Sequence, residues 1–531
     1  MKRVFNLRDW QQEAFTEVKK YIEANKKDFL CVATPGAGKT KFALRVAHFL
    51  MEEKICNRIV IVTPTDHLKR QWANTAATFA GINIDPDFSN AQGIEAADYD
   101  GIAITYALLG QDKKNIHAQN TCSKKTFVIF DEIHHAGENL TWGNAVKNSF
   151  ENSIFRLAIS GTAFRSDDNE IPFITYVNGV SKADYTYSYE RAIRENVCRP
   201  VFFSIHDGKM NWKVDSQEFE HGFKDYLTPD QVSKRLKTAL DPNGNWVRDV
   251  LREAHSKLME IRNSHPDAAG MVFAATQRHA IELAKVLHEI SGEKPSVIIS
   301  DNPEAGKKLE EFQKNKQKWL VSVKMVSEGV DIPNLRVGAY FTNVKAELFF
   351  RQAIGRFVRV LRHLKWQDAY IYIPADKDIV KLAEQIQEER EHALKDTGKN
   401  GFGKNGDMDL FGNEYTPALK GKFMPLGSTA TEARTIEVNV GITSGMKESV
   451  DTRILPSEAP VFLQKKYLRE HANRLARRIA LKQRNGNQKI KPDFKFAHKL
   501  WMQNGGKNIQ LETIEELENR IKFYKKLLRA H

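Results

Sequence analysis

Short, β-branched and mostly apolar runs recur along this chain in two sets, and they restrict its fold more than any other feature. The first set is FLCVAT from Phe29, RIVIVTP from Arg58, GIAITYA from Gly101, TFVIFDE from Thr126 and RLAISGT from Arg156. The second is GMVFAAT from Gly270, SVIIS from Ser296, WLVSVKM from Trp319, VGAYFT from Val337 and AYIYIP from Ala369. Runs of this kind suit strands buried on both faces, and the helix-forming stretches between them supply the covering layers. The expectation is an α/β protein with two tandem parallel-sheet halves, in a chain whose 531 residues have room for three or four domains.

The remaining segments differ in character. From about Ser166 to Pro266 the pattern weakens and polar helical stretches such as TPDQVSKRLKTAL appear. This predicts a hinge and insertion over 206–265, between a first domain at 1–205 and a second at 266–395. From Gly398 to Ser428 there are seven glycines in 31 residues, a composition that favours a linker and extension, placed at 396–460. The last segment, 461–531, reads as helices. Its final helix opens with Thr513 three residues before Glu516, a capping box, and puts Ile514, Leu517, Ile521, Tyr524 and Leu528 on one packing stripe.

Charge separates that last segment from the rest. It carries 18 Lys+Arg against 6 Asp+Glu, which leaves 62 against 61 in the first 460 residues. A basic helical appendage on a neutral body reads as a contact for polyanions, nucleic acid before anionic membrane, or as a solvated tail. The four cysteines, Cys31, Cys56, Cys122 and Cys198, form no CxxC pair and suggest buried reduced thiols. No stretch approaches the length of an apolar membrane span, and the start lacks the pattern of a secretory signal, so a cytoplasmic protein is expected.

The chemistry begins at ATPGAGKT, from Ala33 to Thr40, which follows the first apolar run and precedes the helical KFALRVAHFL. That is the setting of a phosphate-binding P-loop. Thr34, Gly36 and Gly38 form the turn, in which glycines let backbone N–H groups converge on phosphate oxygens. Lys39 would meet the β and γ charges of ATP, and the Thr40 hydroxyl would ligate magnesium. Ala33 stands where such loops usually open on glycine. Asp131 and Glu132 leave the end of VIFDE together, so one carboxylate can hold magnesium while its neighbour polarises an attacking water. His134 is a candidate relay.

Taken in order, from LRDWQ to QAIGRFVR, these residues resemble superfamily 2 helicases and translocases of the DExH type, here written DEIH. The likeness is to the branch of restriction-enzyme motor subunits, excision-repair helicases and phage recombination helicases, and it implies two RecA-like domains. By that resemblance Arg8 and Gln11 would contact the adenine base. Ser160 and Thr162, in SGTAFR, would couple hydrolysis to movement. Gly329 and Asp331, in EGVDIP, would face the nucleotide, with Asp331 at the ribose. In QAIGRFVR, Arg356 and Arg359 are expected on one face of a helix, reaching the γ-phosphate, with Gln352 helping to orient the water. A surface basic patch that binds nucleic acid directly is the other reading of that helix.

Nucleic-acid contacts are expected by the same resemblance. VTPTDHLKRQW places Thr65 at a backbone phosphate with Lys69 and Arg70 nearby, and Thr105 is a similar candidate. In the second half Thr276 and Ser300 follow strand ends, where capping is the alternative role. Val323 stands where many family members carry a phosphate-contacting Thr. DNA is favoured over RNA because motif II ends in His and the upstream glutamine motif of the DEAD-box RNA helicases is missing. The expected function is an ATP- and Mg2+-dependent DNA helicase or translocase, with an RNA helicase or a non-travelling ATP-gated clamp as alternatives. No nuclease constellation is found, so any cutting needs a partner, and the oligomeric state is left open.

Overall fold

The computed structural model describes residues 4–137, 140–161, 171–177, 180–299, 308, 311–323, 332–361, 364, 367–395, 423–435, 459–482 and 495–530. Thr162, Ser300, Gly329 and Asp331 lie outside them. The chain divides into two compact units. The first comprises Met1–Ala33, Gly38–Thr186 and Ser449–His531; the second comprises Thr34–Ala37 and Tyr187–Glu448.

The strands of the first unit are β1 (Asp28–Ala33), β2 (Arg58–Thr63), β3 (Ile84–Asp85), β4 (Gly101–Thr105), β5 (Thr126–Asp131), β6 (Phe155–Ser160), β7 (Tyr176–Val177), β8 (Val180–Ser181) and β9 (Tyr185–Tyr187). Its helices are α1 (Asp9–Glu23), α2 (Lys39–Glu52), α3 (Asp66–Thr75), α4 (Tyr106–Gly110), α5 (Ile116–Ser123) and α6 (Leu140–Phe150). The sheet runs β3-β4-β2-β5-β6-β1-β9, while β7 and β8 form a separate ribbon. The strand pairs from β3 through β1 are parallel, and every residue of β2, β5 and β6 is buried. The uninterrupted apolar runs therefore have the cause assigned to them, burial on both faces.

Register then decides where the chemistry sits. Val32 pairs with Ser160 and Asp131 with Ile159, so the ends of β1, β6 and β5 are neighbours. The phosphate loop, Gly161 and the acid pair all emerge there, at the carboxyl edge where open parallel sheets bind ligands.

The second unit contains β10 (Val201–Val214), β11 (Gln217–Gly222), β12 (Ala269–Ala274), β13 (Ser296–Ile298), β14 (Trp319–Val323), β15 (Leu335–Phe341), β16 (Ala369–Pro374) and β17 (Phe423–Thr435). Its helices are α7 (Tyr189–Arg194), α8 (Pro229–Ala239), α9 (Asn245–Ser264), α10 (Gln277–Ser291), α11 (Glu347–Ile354) and α12 (Lys377–Lys395). The sheet order is β11-β10-β16-β15-β12-β14-β13, with β17 on β10. The five strands expected from sequence are present and parallel. At Gly270 the β12–β14 pair leaves no room for a side chain, because a Cβ would stand 2.4 Å from the Trp319 ring.

Two segments differ from expectation. The span 206–265, expected as hinge and insertion, is regular structure of the second unit. β10 pairs in parallel with β16 from Val201 to His206, then continues antiparallel to β11 from Lys209 to Val214. The helix α8 has a Thr228–Gln231 capping box with Pro229 at its first turn, and α9 buries Trp246, Val250, Leu251, Ala254 and Leu258. The end of the glycine-rich stretch is also a strand. Phe423–Ser428 lies in β17, whose pairing with β10 spans Ser204↔Thr435 to Val214↔Phe423 with two register shifts. Its Pro and Gly residues are tolerated at such irregular edges.

The segment expected as a separate accessory domain belongs to the first unit. Its helices are α13 (Val461–Lys482), α14 (Phe496–Gln503) and α15 (Ile514–Ala530). The capping box is present, with Thr513 N donating to Glu516 Oε2 at 2.8 Å and Glu516 N donating to Thr513 Oγ1 at 3.2 Å. The expected stripe packs: Leu517, Ile521 and Tyr524 are buried, Ile521 and Tyr524 against Ala472, Leu475, Ala476 and Ile479 of α13. Several cations that read as a solvated tail are internal. Lys465 is fully buried, donates to Asp98 Oδ1 at 2.6 Å and lies 4.3 Å from the Tyr99 ring centroid. The other oxygen of Asp98 accepts from Ile514 N at 3.2 Å, at the start of α15. Arg520 is buried on Glu512. A buried charge must be paired, so these residues hold helices together.

Candidate functional site

The phosphate loop has the backbone its sequence requires. Gly36 and Gly38 take φ of +80° and +97°, and α2 begins at Lys39 with Gly38 as an N-cap that has no side-chain hydrogen bond. A Cβ on Gly38 would stand 2.9 Å from Gln11 Nε2, so glycine is needed for both conformation and space. An uncapped helix start beneath a glycine turn offers N–H groups and the positive end of the helix dipole to an anion. This fits a nucleotide's phosphates.

Lys39 reaches across the carboxyl edge. Its Nζ lies 3.0 Å from Glu132 Oε1 and 3.3 Å from the Ala33 carbonyl. Glu132 Oε2 accepts from Gly161 N at 3.0 Å and lies 3.6 Å from His134 Nδ1. Burial alone would raise this carboxyl, but Lys39, His134 and the Gly161 N–H hold it down at about 2. Ser160 Oγ is 3.4 Å from the same His134 nitrogen. Lys39, Glu132, His134, Ser160 and Gly161 are thus in one cluster.

Consecutive acids face different partners because Glu132 has a φ of +47°, a conformation that costs a non-glycine residue about 1–3 kcal/mol. Asp131, at the end of β5, accepts from Trp72 Nε1 at 2.7 Å through Oδ2, while its backbone carbonyl accepts from Tyr106 OH at 3.1 Å. Neither aromatic was singled out from sequence. Trp72 ends the run VTPTDHLKRQW and Tyr106 follows Thr105, but an isolated buried ring reads as core until its polar atom is seen to have a target.

Arg8 and Gln11 flank the loop. Arg8 N donates to Gln11 Oε1 at 2.8 Å, and Gln11 Nε2 donates to the Gly38 carbonyl at 2.9 Å. The buried Gln11 amide therefore ties α1 to the phosphate loop, and the Arg8 guanidinium lies beside the same turn. Thr40 occupies the second position of α2.

The candidate nucleic-acid contacts separate into two kinds. Thr105 Oγ1 accepts from Leu108 N at 3.1 Å and Thr276 Oγ1 from His279 N at 3.2 Å, so both cap the helices that follow them. Thr65 is different: it precedes α3, does not cap it, and its buried hydroxyl has no hydrogen-bond partner. Lys69 is paired with Asp66 at 2.7 Å and Arg70 with Asp87 at 2.6 Å. Val323 ends β14 half-buried.

In the second unit Gln352 lies on α11, but that helix ends at Ile354 and does not carry the arginines. This corrects the expected helical face. Phe357 and Val358 are buried, the Val358 carbonyl accepts from Arg199 N at 2.7 Å, and Arg359 forms an isolated bridge with Cys198. Packing draws the backbone out of the helix before Arg356 and Arg359. Burial lowers Arg359 to about 10.

Two family models match the chain in order. Residues 4–165 match the type III restriction enzyme res subunit, and residues 252–361 match the helicase conserved C-terminal domain. The chain belongs to superfamily 2 of the helicases and translocases. Its tandem parallel sheets are the two RecA-like domains of that superfamily. An uncharacterized protein of Mycobacterium tuberculosis is 41 % identical over 394 residues, 73 % of this chain and 64 % of the relative. Another from Mycobacterium leprae is 42 % identical over 395 residues, 73 % of this chain and 65 % of the relative. The chain thus spans less than two thirds of the length of those relatives. The DNA 3'-5' translocase XPB2 of Sulfurisphaera tokodaii is 23 % identical over 386 residues, 68 % of this chain and 80 % of that protein. Among solved structures, a fragment of a type I restriction enzyme HsdR subunit from Vibrio vulnificus has a TM-score of 0.51 at 17 % identity, covering 72 % of this chain and 66 % of that one. That likeness is one of fold. Among the described residues no helix is long and apolar enough to cross a membrane.

Proposed function

We propose that this superfamily 2 protein is an ATP-dependent DNA translocase or helicase. The reading is carried by the cluster in which Lys39 and Gly161 N–H share the Glu132 carboxylate at the end of a glycine-turn helix. Lys39 exchanges Glu132 for the β and γ phosphates when ATP enters the loop. Glu132, freed of its ion pair but still held by Gly161 N–H, then accepts a hydrogen bond from the attacking water. Loss of Lys39 removes the largest influence that holds this carboxyl down, so burial raises its basicity at the moment the water is bound, while His134 and the Gly161 N–H still favour the carboxylate. Thr40 and Asp131 are the groups that would hold magnesium, which when bound supplies charge to neutralise the phosphates. By the family resemblance Gly329 and Asp331 would contact the nucleotide, Arg356 and Arg359 would stabilise charge on the transferred phosphoryl group, and Gln352 would help orient the water.

His134, between Glu132 and Ser160, would pass the state of the acid to the SGTAFR segment that contains Thr162. Of the strand contacts, Thr65 is the strongest candidate because its hydroxyl has an unmet hydrogen-bonding capacity. Ser300 on the second unit is proposed to act in the same way.

The helices α13 and α15 supply an accessory phosphate-binding surface. Tyr467, His471 and Arg474 recur at helical spacing on α13, Tyr467 is 61 % exposed, and Lys525 of α15 and Arg474 join burial in pushing the His471 imidazolium down. Converging cations beside an exposed ring suit a nucleic-acid strand. ATP turnover measured with single-stranded DNA, duplex DNA and single-stranded RNA tests the whole reading. Greater stimulation by DNA is expected; stimulation by RNA alone would make it an RNA motor, and stimulation without triplex displacement a clamp.

A further inference from the structure

The two segments read as strand-contacting, the loop before α3 and the β4–α4 junction, each send one buried aromatic donor to the same acid. Trp72 on α3 is 1 % exposed and donates through Nε1 to Asp131 Oδ2 at 2.7 Å. Tyr106, the residue after Thr105, is fully buried and donates through its hydroxyl to the Asp131 backbone carbonyl at 3.1 Å. Asp131 is itself 8 % exposed, so neither bond competes with bulk water. The carboxylate and the backbone of one residue are thereby fixed from two different elements.

We infer that Trp72 and Tyr106 are positioning residues that transmit nucleic-acid occupancy to the magnesium-holding acid of the ATP site. The inference rests on the reading of Asp131 proposed above. Thr65 immediately precedes α3, and Trp72 lies seven positions further along that helix, two turns from its start. A phosphate that recruits the Thr65 hydroxyl shifts or stiffens α3, and Trp72 moves with it because the helix is rigid over this distance. Since the indole N–H has one direction of donation, movement of the ring re-aims the Asp131 carboxylate. Tyr106 acts on the other side of the residue: Thr105 caps α4 through Leu108 N, and the phenol one position later anchors the carbonyl at the end of β5. Together they set the carboxylate's direction before any cation arrives, which is how groups outside the coordination shell tune metal affinity.

The experiment measures binding of a fluorescent, non-hydrolysable ATP analogue across magnesium concentrations, with and without a single-stranded oligonucleotide and a duplex. It compares the wild-type chain with Trp72→Phe and Tyr106→Phe. Trp72→Phe keeps an aromatic ring and removes the donor; Tyr106→Phe removes one oxygen and keeps the packing. In the wild type the oligonucleotide or duplex should tighten magnesium-dependent binding. Trp72→Phe should weaken magnesium-dependent binding about tenfold, within the range known for outer-shell partners, and flatten the response to nucleic acid. Tyr106→Phe should do the same by about threefold. Binding without magnesium should stay unchanged in both, a separation that simple destabilisation would not produce. The double variant should lose less than the sum of the two, since both act on one residue. The inference is overturned if both variants keep the wild-type magnesium dependence and nucleic-acid response, or if the wild type shows no such response. A wild-type chain that binds no analogue at all would instead remove the assignment of the ATP site.

Discussion

Lys39 and Glu132, 93 positions apart, form an ion pair at 3.0 Å. On the proposed function the pair holds the loop lysine against the acid that would address water, so that nucleotide entry and release of Glu132 would be one event. Lys39→Ala is expected to abolish nucleic-acid-stimulated ATP turnover, a loss of about 10²-fold or more, measured as phosphate release. Glu132→Gln should lower turnover comparably while leaving analogue binding intact, because Lys39 then has no competitor for the phosphates.

The three threonines should respond differently to loss of the hydroxyl. Thr105→Val and Thr276→Val each remove a helix cap and should cost about 1 kcal/mol of stability, read by denaturant unfolding. Thr65→Val removes a hydroxyl without a partner, so stability should hold or rise. Its affinity for nucleic acid should instead fall about tenfold, the worth of a hydrogen bond to a charged group, read by fluorescence anisotropy.

Asp98 pins two of the C-terminal helices. Asp98→Ala leaves the fully buried Lys465 unpaired and should cost about 3 kcal/mol, while Asp98→Ala with Lys465→Met should recover most of it. Thermal unfolding of the three chains checks this. Cutting the chain at Ser428 would sever β17 and remove part of the first unit, so the accessory surface is better tested by Arg474→Glu with Lys525→Glu. That double variant should reduce the salt dependence of nucleic-acid binding by about two phosphate contacts.

Acid should destabilise the second unit through His206. Burial lowers this imidazole to about 4; it contacts Ser204 Oγ at 3.0 Å, stacks on Tyr372 and lies 3.9 Å from Glu253. The fold favours neutral His206, so the unfolded chain takes up the proton first as pH falls below about 6.5. Stability present above that pH is lost progressively down to about 4, by up to about 3 kcal/mol. His206→Gln should flatten this part of the pH profile of the unfolding midpoint.

The strands that carry the ATP site were legible because burial on both faces leaves a continuous apolar run, and the loop, acids and capping boxes were legible because their chemistry is local. β17 was not, since FMPLGSTATEART becomes a strand only through its long-range register with β10. The end of α11 was set by burial of Phe357 and Val358, which periodicity over QAIGRFVR conceals. Lys465 read as a surface charge because its partner is 367 positions away. Trp72 and Tyr106 were visible as residues, while their common target was not.

The first unit takes in residues on both sides of the second: Ser449–His531 return to it after Tyr187–Glu448 have formed the other. During synthesis, therefore, the portion begun earliest is the last to be completed. A nascent chain halted before Lys465 and Ile514 emerge leaves Asp98 without either partner, while every described strand of the second sheet has already been translated.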